Sequence, residues 1–491
     1  MSFVTPVFLF LFFPITLLGY YLIHPKLKNI FLLVSSLMFY FWGEPKFIIV
    51  FAASIAFNYI AGFVMGKLRG LSNLKRIVML FSVAINIGLL FYYKYLMFST
   101  ETVNTVLNTN FPVKEITLPL GISFFTFRAI SYILDVYWET SVAQKNPINV
   151  ALYISFFPQV VMGPITKSSD FLPQLTKRKF ELNKFTNGIK CFIIGMAKKL
   201  IIADSLAVIV NPVFSMAADE RTVVAAWYGI IGYCLQLFFD FSGYSDMAIG
   251  LSKMFGFDTP ENFNYPYMSK GAVEFWSRWH ITLGTWLKDY VYTPVFKGLL
   301  SKKKDLFVCD TLALLMVWLV AGIWHGAAWH YVTYGLYYFC FILLERIIEY
   351  HEKKRRKRLK LKKQPETKFH ATLSHIYFII VLIFGQLMFR IDGNSLENYF
   401  CYIGSMFGRS GSGFTDSYSL FTLKSNLRIF LLGILFCFPV TKKIKKMLTQ
   451  NDNLSFIIEN IVMPIGWLTL FVLCVSCVLM SNYNAFIYQQ F

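Results

Sequence analysis

The stretch "TLALLMVWLVAGIWHGAAWHYVTYGLYYFCFILL" (residues 311–344) contains no aspartate, glutamate, lysine or arginine, yet it holds two histidines, His325 and His330. A helix of roughly 17–25 apolar residues crosses about 30 Å of hydrocarbon, so this run suffices for two short spans. It is bracketed by "KGLLSKKK" (297–304) and "KKRRKRLKLKK" (353–363). Short loops rich in lysine and arginine belong on the cytoplasmic side. Both brackets therefore lie on one side, and the run between them is predicted to be a helical hairpin. His325 falls near its junction, toward the middle or outer part of the bundle. A titratable ring at that depth is costly and by default marks a functional cavity.

The same character runs through the whole chain. Of 491 residues, 56% are hydrophobic and 18% aromatic, and the mean hydropathy is +0.53. Charged residues make up 15% against about 25% in soluble domains, which excludes a soluble globular protein. The apolar runs are continuous rather than alternating, which excludes a transmembrane β-barrel. The predicted fold is all-α: a polytopic transmembrane helical bundle of about 11–13 membrane segments, some re-entrant or interfacial, around a central funnel or channel. The net charge of +20 sits in short loops between spans, so its partner is the lipid bilayer and nucleic acid is not expected. "CVSC" (474–477) lies inside an apolar run and reads as packing rather than redox chemistry or zinc binding. The opening "MSFVTPVFLFLFFPITLLGYY" lacks a basic flank and a small-residue cleavage site, and reads as a retained first span.

The inward loops are "HPKLK" (24–28), "KLRGLSNLKR" (67–76), "KSSDFLPQLTKRKFELNK" (167–184), the two brackets above and "KKIKK" (442–446). The outward ones lie near 43–46, 99–115, 212–222, 391–425 and from about 482. This gives about twelve crossings with both termini outside. Two apolar segments, 117–137 and 149–164, lie between an outer and an inner loop, where only an odd number of crossings fits. One must be re-entrant or lie flat, which requires surrounding protein or a water-filled cavity. Breaks at "PLG" (119–121) and "GPI" (163–165) agree, and a cavity is expected there.

Three polar clusters stand out. In "FFDFSGYSDMAIG" (238–250), Asp240, Ser242, Tyr244, Ser245 and Asp246 interrupt an apolar helix. Its carboxylates need arginine, backbone amides or water as partners; gluing by a buried network is an equal reading. In "EFWSRWHITLGTWLKDYVYTP" (274–294), Trp276, Trp279, Leu283, Trp286, Leu287 and Tyr290 form one helical stripe. Arg278 and Asp289 fall on one flank and His280 on the other. This predicts an amphipathic helix at the inner interface with its tryptophans at headgroup level. The third cluster is His325, flanked by Gly322 and Gly326, which admit close approach of another group. His330, five positions on, projects about 140° away on a continuous helix and is the weaker candidate. A zinc-protease motif, a phosphate-binding loop and a nucleophile elbow are all missing, and no metal site is expected. A neutral imidazole in a water-poor channel suits general-base work on an attacking hydroxyl. A second imidazole or an indole N–H, such as that of Trp324, suits an oxyanion.

The motifs together resemble the membrane-bound O-acyltransferases, in particular their bacterial alginate O-acetyltransferase branch. The resemblance covers roughly 115–395. It rests on "LPLGISFFTFRAISYILDVY" (118–137), "FFPQVVMGPI" (156–165), "FDFSGYSDMAIGLSKMFGF" (239–257), "ENFNYPYMSKGAVEFWSRWHITLGTWLKDYVYTP" (261–294) and "AGIWHGAAWHYVTYG" (321–335). It implies one membrane domain over 1–491, with N-terminal spans (1–112), a core (113–395) and C-terminal spans (396–491). It makes His325, after the tryptophan of "WHG", and His280, in "RWHITL", the catalytic candidates. Trp324, Asp240, Ser242, Tyr244, Asp246, Arg278, Asp289 and Arg128 become channel- or substrate-lining candidates, and Glu274 also holds a motif position. The chain departs from the family pattern twice. Arg128 stands where glutamine is usual, and "YTPVFKG" (292–298) replaces "YIPLGG"; the second bears on acceptor or partner.

The implied activity is transfer of an acetyl group from a cytoplasmic thioester, acetyl-CoA or an acyl-carrier protein, with no bound cofactor. The acceptor side is a cell-surface polysaccharide, reached through an extracytoplasmic acetyltransferase or esterase-like partner, and the location is the bacterial cytoplasmic membrane. The outer loop 391–425, with "GRSGSGFTDSYS", is too short for a sugar-binding fold, which is why a separate partner is expected. Two alternatives stay open: D-alanyl transfer to teichoic acid by a related enzyme, and a secondary transporter in which Asp240, Asp246 and Arg128 bind substrate or protons.

Overall fold

A computed structural model describes residues 2–68, 70–362, 367–391, 396–448, 452–480 and 485–487. Among these the protein is helical, and its one extended pairing is an isolated antiparallel bridge between Phe263 and Trp279. Among the described residues, eight helices are long and apolar enough to cross a membrane. The expected outward tail from about 482 lies almost wholly outside the described residues.

In chain order the helices are α1 (Phe8–Leu22), α2 (Lys28–Gly43), α3 (Ile48–Lys67), α4 (Ser72–Leu107), α5 (Ile122–Tyr137), α6 (Pro147–Ser155), α7 (Leu182–Ala197), α8 (Asp204–Ser215) and α9 (Val223–Met254). There follow α10 (Ala272–Arg278), α11 (Ile281–Leu287), α12 (Thr293–Leu300), α13 (Leu306–His325), α14 (Trp329–Arg358), α15 (Lys368–Arg390), α16 (Leu396–Met406), α17 (Ser417–Phe436) and α18 (Ser455–Met480).

The chain forms two compact units. The first comprises Met1–Ala197, Gly243–Glu261 and Leu470–Phe491. In it, α3 and α4 are joined by reciprocal amide hydrogen bonds between Asn58 and Asn86, at 3.1 and 2.8 Å. Such pairs hold helices together where lipid supplies no hydrophobic drive. Fourteen of the sixteen residues of α5 are buried. Helix α6 has only nine residues, about 14 Å of rise, too short to cross. The chain then runs irregularly and fully buried from 156 to 166. Its polar groups are met internally: Ser36 accepts from Phe157 N at 3.1 Å, and Tyr153 donates to Thr166 O at 3.0 Å. Gly121 is left-handed (φ 71), and a Cβ there would lie 2.5 Å from Val160 O, so only glycine fits the "PLG" break.

The second unit comprises Lys198–Ser242 and Asn262–Thr469. Its centre is the hairpin α13–α14, joined by residues 326–328 as the charge pattern predicts. The two helices meet backbone to backbone. A Cβ on Gly322 would lie 2.5 Å from Tyr331 O, and one on Gly335 would lie 2.4 Å from Trp318 O. Within the expected outer loop, 391–425, Leu396–Met406 and the start of Ser417–Phe436 are helical. Helix α16 buries Tyr399, Tyr402 and Met406 at helical spacing, and Tyr402 donates to Ala226 O at 2.9 Å. Asp416 then caps α17, accepting from Ser419 N at 2.8 Å.

Candidate active site

The tryptophan stripe of 274–294 predicts one unbroken helix, but the structure breaks it at the histidine. Helix α10 ends at Arg278, Trp279 is extended, and His280 adopts the left-handed conformation (φ 44, ψ 51). Backbone groups freed by such a break need partners, and residues 262–264 supply them. Asn264 N donates to Arg278 O at 2.9 Å, and Ile281 N to Asn262 O at 3.0 Å. Asn262 Oδ1 also accepts from Thr282 N at 3.1 Å. The expected interfacial helix with its tryptophans at headgroup level is thereby corrected. Trp279 is 2% exposed and packs against Phe263 and Phe275, at ring separations of 5.1 and 5.4 Å. Trp286 is buried as well. The stripe faces protein, because the kink folds it back into the unit.

The kink also turns His280 onto a cavity of about 550 Å³. One wall comes from Trp276, Ser277, His280 and Gly284, and another from α13 through Leu314, Val317, Trp318, Ala321 and His325. The α13 positions recur every three or four residues, so they form one face of that helix. Lys288, Tyr292 and Arg346 also line it. Arg346 is held by Asp310, at 2.7 and 2.9 Å to the two carboxylate oxygens, and Tyr292 donates to the same carboxylate. The cavity thus runs from cations near the basic ends of the hairpin to two imidazoles.

Trp324 stands between those imidazoles. Its ring lies 5.8 Å from that of His280 and 4.8 Å from that of His325. Phe389 and Tyr334 meet the His325 ring edge to face, at 5.0 and 5.6 Å, and Phe241 does the same to His280 at 4.7 Å. Burial pushes the His280 imidazole down to about 3, so it is neutral at ordinary pH. Both rings are fixed in an apolar cage that opens on one cavity. The arrangement can accept a proton from, or hydrogen-bond to, a group reacting there.

Comparison with known proteins decides the class. Residues 142–386 match the sequence profile of the membrane-bound O-acyltransferase family. A protein described as "probable alginate O-acetylase AlgI" from Azotobacter vinelandii is 36% identical over 396 residues, covering 80% of this chain and 75% of that protein. The chain belongs to the membrane-bound O-acyltransferase family. The acyltransferase is also similar to the peptidoglycan O-acetyltransferase of Helicobacter pylori, 34% identical over 364 residues, or 68% of each chain. The teichoic acid D-alanyltransferase of Bacillus subtilis is 33% identical over 229 residues, 45% of this chain and 56% of that one. The enzyme is therefore an acyltransferase and a multi-pass membrane protein, and the transporter reading is set aside.

Of the remaining candidates, none lines this cavity. Arg278 pairs with Glu274 at 2.7 Å on the partly exposed side of α10, the kind of pair that contributes little. Asp289 is half-buried in the π-helical turn Lys288–Tyr292 that follows α11; the kink separates it from Arg278, so they do not share a helix flank. In the second unit, Asp240 is buried against Lys199 Nζ at 2.7 Å, and Lys199 also meets Asp204 at 2.9 Å. One partner of Asp240 is thus a lysine, a residue type the sequence reading did not offer, presented by the π-helical turn Lys198–Ala203. Such turns recur at functional positions. Ser242 is buried, and its hydroxyl has no hydrogen-bond partner among the described residues.

In the first unit, Tyr244 stacks on Phe3 at 4.8 Å, and the main-chain oxygen of Asp246 faces Cys191 Sγ at 3.3 Å. Arg128, 1% exposed, donates to Ile154 O at 3.2 Å and to Gln159 Oε1, and lies over the Tyr153 ring at 5.4 Å. It ties down the irregular segment near 154–159.

The glycines of the hairpin admit close approach as expected, and the argument about His330 is corrected. Gly322 and Gly326 admit α14 itself: a Cβ on Gly326 would lie 2.1 Å from the Tyr331 ring. His330 is separated from His325 by a break in the helix, not by an angle along it. It packs on Tyr331 at 4.0 Å and does not line the cavity. Sequence reasoning missed Asn262, Lys199, Ser277 and Arg346. Asn262 sits inside the "ENFNYPY" motif, but its contacts lie about twenty residues away in the chain, and nothing local signals them.

Proposed function

We propose that this acyltransferase takes an acetyl group from a thioester donor, acetyl-CoA or an acyl-carrier protein, on the cytoplasmic side of a bacterial cytoplasmic membrane. It passes the group outward for O-acetylation of an alginate-like cell-surface polysaccharide, through an extracytoplasmic partner. The observation that carries this reading is a cavity lined by both Lys288 and Arg346 and by His280 and His325. The cations suit a phosphorylated donor arm.

His325 acts as the general base. An acceptor hydroxyl gives its proton to the imidazole while its oxygen attacks the thioester carbonyl. The tetrahedral oxyanion then collapses, the carbon–sulfur bond breaks, and the departing thiolate takes the proton back from the imidazolium. The caged rings supply fixed positions for these steps. Acetyl transfer is favoured over D-alanyl transfer because the O-acetylase similarity extends over 80% of the chain and the D-alanyltransferase similarity over 45%.

The test is His325→Ala expressed in a host that makes the acetylated polymer. Ester-bound acetate released from that polymer by mild alkali falls by at least about 10²-fold, while the protein still accumulates in the membrane. Retained acetylation sinks the reading. Release of D-alanine in place of acetate moves it to the alternative.

A further inference from the structure

His280 meets the cavity with one ring nitrogen in a defined state. Its Nδ1 lies 3.1 Å from Asn262 Oδ1, and its Nε2 is buried without a hydrogen-bond partner among the described residues. The same Asn262 oxygen receives the backbone N–H of Thr282 at 3.1 Å and the Thr282 hydroxyl at 2.8 Å. A backbone N–H can only donate, so the carboxamide atom facing it is the oxygen and not the nitrogen, and that oxygen can only accept. The hydrogen between Asn262 and His280 therefore belongs to Nδ1. The opposite tautomer would set two lone pairs against each other at 3.1 Å. Burial holds the ring neutral, and a neutral imidazole carries one N–H. Nε2 is then a bare lone pair.

We propose that Asn262 is a positioning residue that locks His280 in its Nδ1–H tautomer, so that Nε2 offers the cavity a hydrogen-bond acceptor that orients the attacking hydroxyl. The same lock prevents neutral His280 from donating to an oxyanion, which rules out one role the sequence allowed it. Asn262 holds the histidine by its main chain too, accepting from Ile281 N at 3.0 Å. The left-handed backbone of His280 is thus tied on both sides, as a strained functional position requires. Phe241 meets the ring at 88° and fixes its plane. The identity of the oriented group rests on the proposed acyl transfer, but the tautomer does not.

The experiment uses the full chain in lipid nanodiscs with ¹⁵N-labelled histidine rings. His280→Gln identifies which of the seven histidines gives each signal. In the unaltered enzyme, His280 shows protonated Nδ1 and unprotonated Nε2, unchanged between pH 5 and 8. Asn262→Ala loses that signature and lowers kcat by roughly 10²–10⁴-fold, the contribution typical of a positioned acid–base group, with little change in KM for the thioester. Asn262→Asp, whose carboxylate still accepts, keeps the Nδ1–H signature and recovers part of the rate. A protonated Nε2 in the unaltered enzyme overturns the proposal, as does an Asn262→Ala enzyme with normal tautomer and rate. If Asn262→Ala fails to accumulate, the spectrum of the unaltered enzyme still decides. Failure of the acetyl-transfer reading appears separately, as an absence of ester-bound acetate, and leaves that spectrum unaffected.

Discussion

Lys199 is the residue whose loss should cost most away from the cavity. It is buried with two carboxylates within 3 Å, and removing one partner of a buried ion pair strands the others. Lys199→Met is expected to lower stability by about 3–5 kcal/mol, read as a fall in membrane accumulation and in the detergent melting temperature. Adding Asp240→Leu should restore part of the loss. His280 carries a second prediction. Above about pH 6.5 the ring is neutral both folded and unfolded. Below that, the unfolded chain binds a proton that the folded one refuses until about pH 3. The stability it contributes is therefore full above 6.5 and lost as pH falls toward 3. The melting temperature of the unaltered enzyme should drop more between pH 6.5 and 4 than that of His280→Asn; equal drops would refute this. At this scale the sequence was half legible. Asp240 announced its need for a partner, since a carboxylate in an apolar helix cannot stand alone. Lys199 did not announce itself, because a lysine 41 residues away beside a cytoplasmic loop reads as an interface cation.

Helix α13 and helix α14 meet at a facing pair of glycines, Gly322 and Gly335. Gly335→Ala places a methyl 2.4 Å from a main-chain oxygen, which cannot yield without parting the helices. The expected cost is about 1–3 kcal/mol together with loss of transfer, because His325 ends one of the two helices. Gly466→Ala in α18 meets nothing within 4 Å and should leave accumulation and transfer unchanged. The hairpin itself was readable from two basic loops and an uncharged run, signals that depend only on composition. The kink between α10 and α11 was not. The apolar stripe continues at helical spacing straight through His280, and what breaks it is a strand-like segment at 262–264 claiming its backbone hydrogen bonds. Periodicity records which side chains prefer burial; it does not record which competing partner takes an amide.

At the scale of the whole molecule, the alternation of basic and poor loops predicts sidedness. In a cysteine-free variant, which replaces all eight cysteines, Thr415→Cys should react with a membrane-impermeant thiol reagent in intact cells. Ser301→Cys should react only after permeabilisation, and the reverse pattern would invert the proposed topology. The short α6 and the irregular stretch after it were legible for a related reason: an odd number of crossings had to fit between an outer and an inner loop. The contacts that satisfy that stretch, through Ser36 and Arg128, lie too far apart in the chain for parity to suggest. One last consequence comes from the face of α13 that lines the cavity. Asp310, which holds Arg346, and His325 lie fifteen residues apart on that one helix, about 22 Å by its rise. On the proposed function, the helix is a gauge: it fixes the reach a donor's arm must have for its carbonyl to arrive at His325. Donors would then be sorted by arm length before any contact with the acyl group is made.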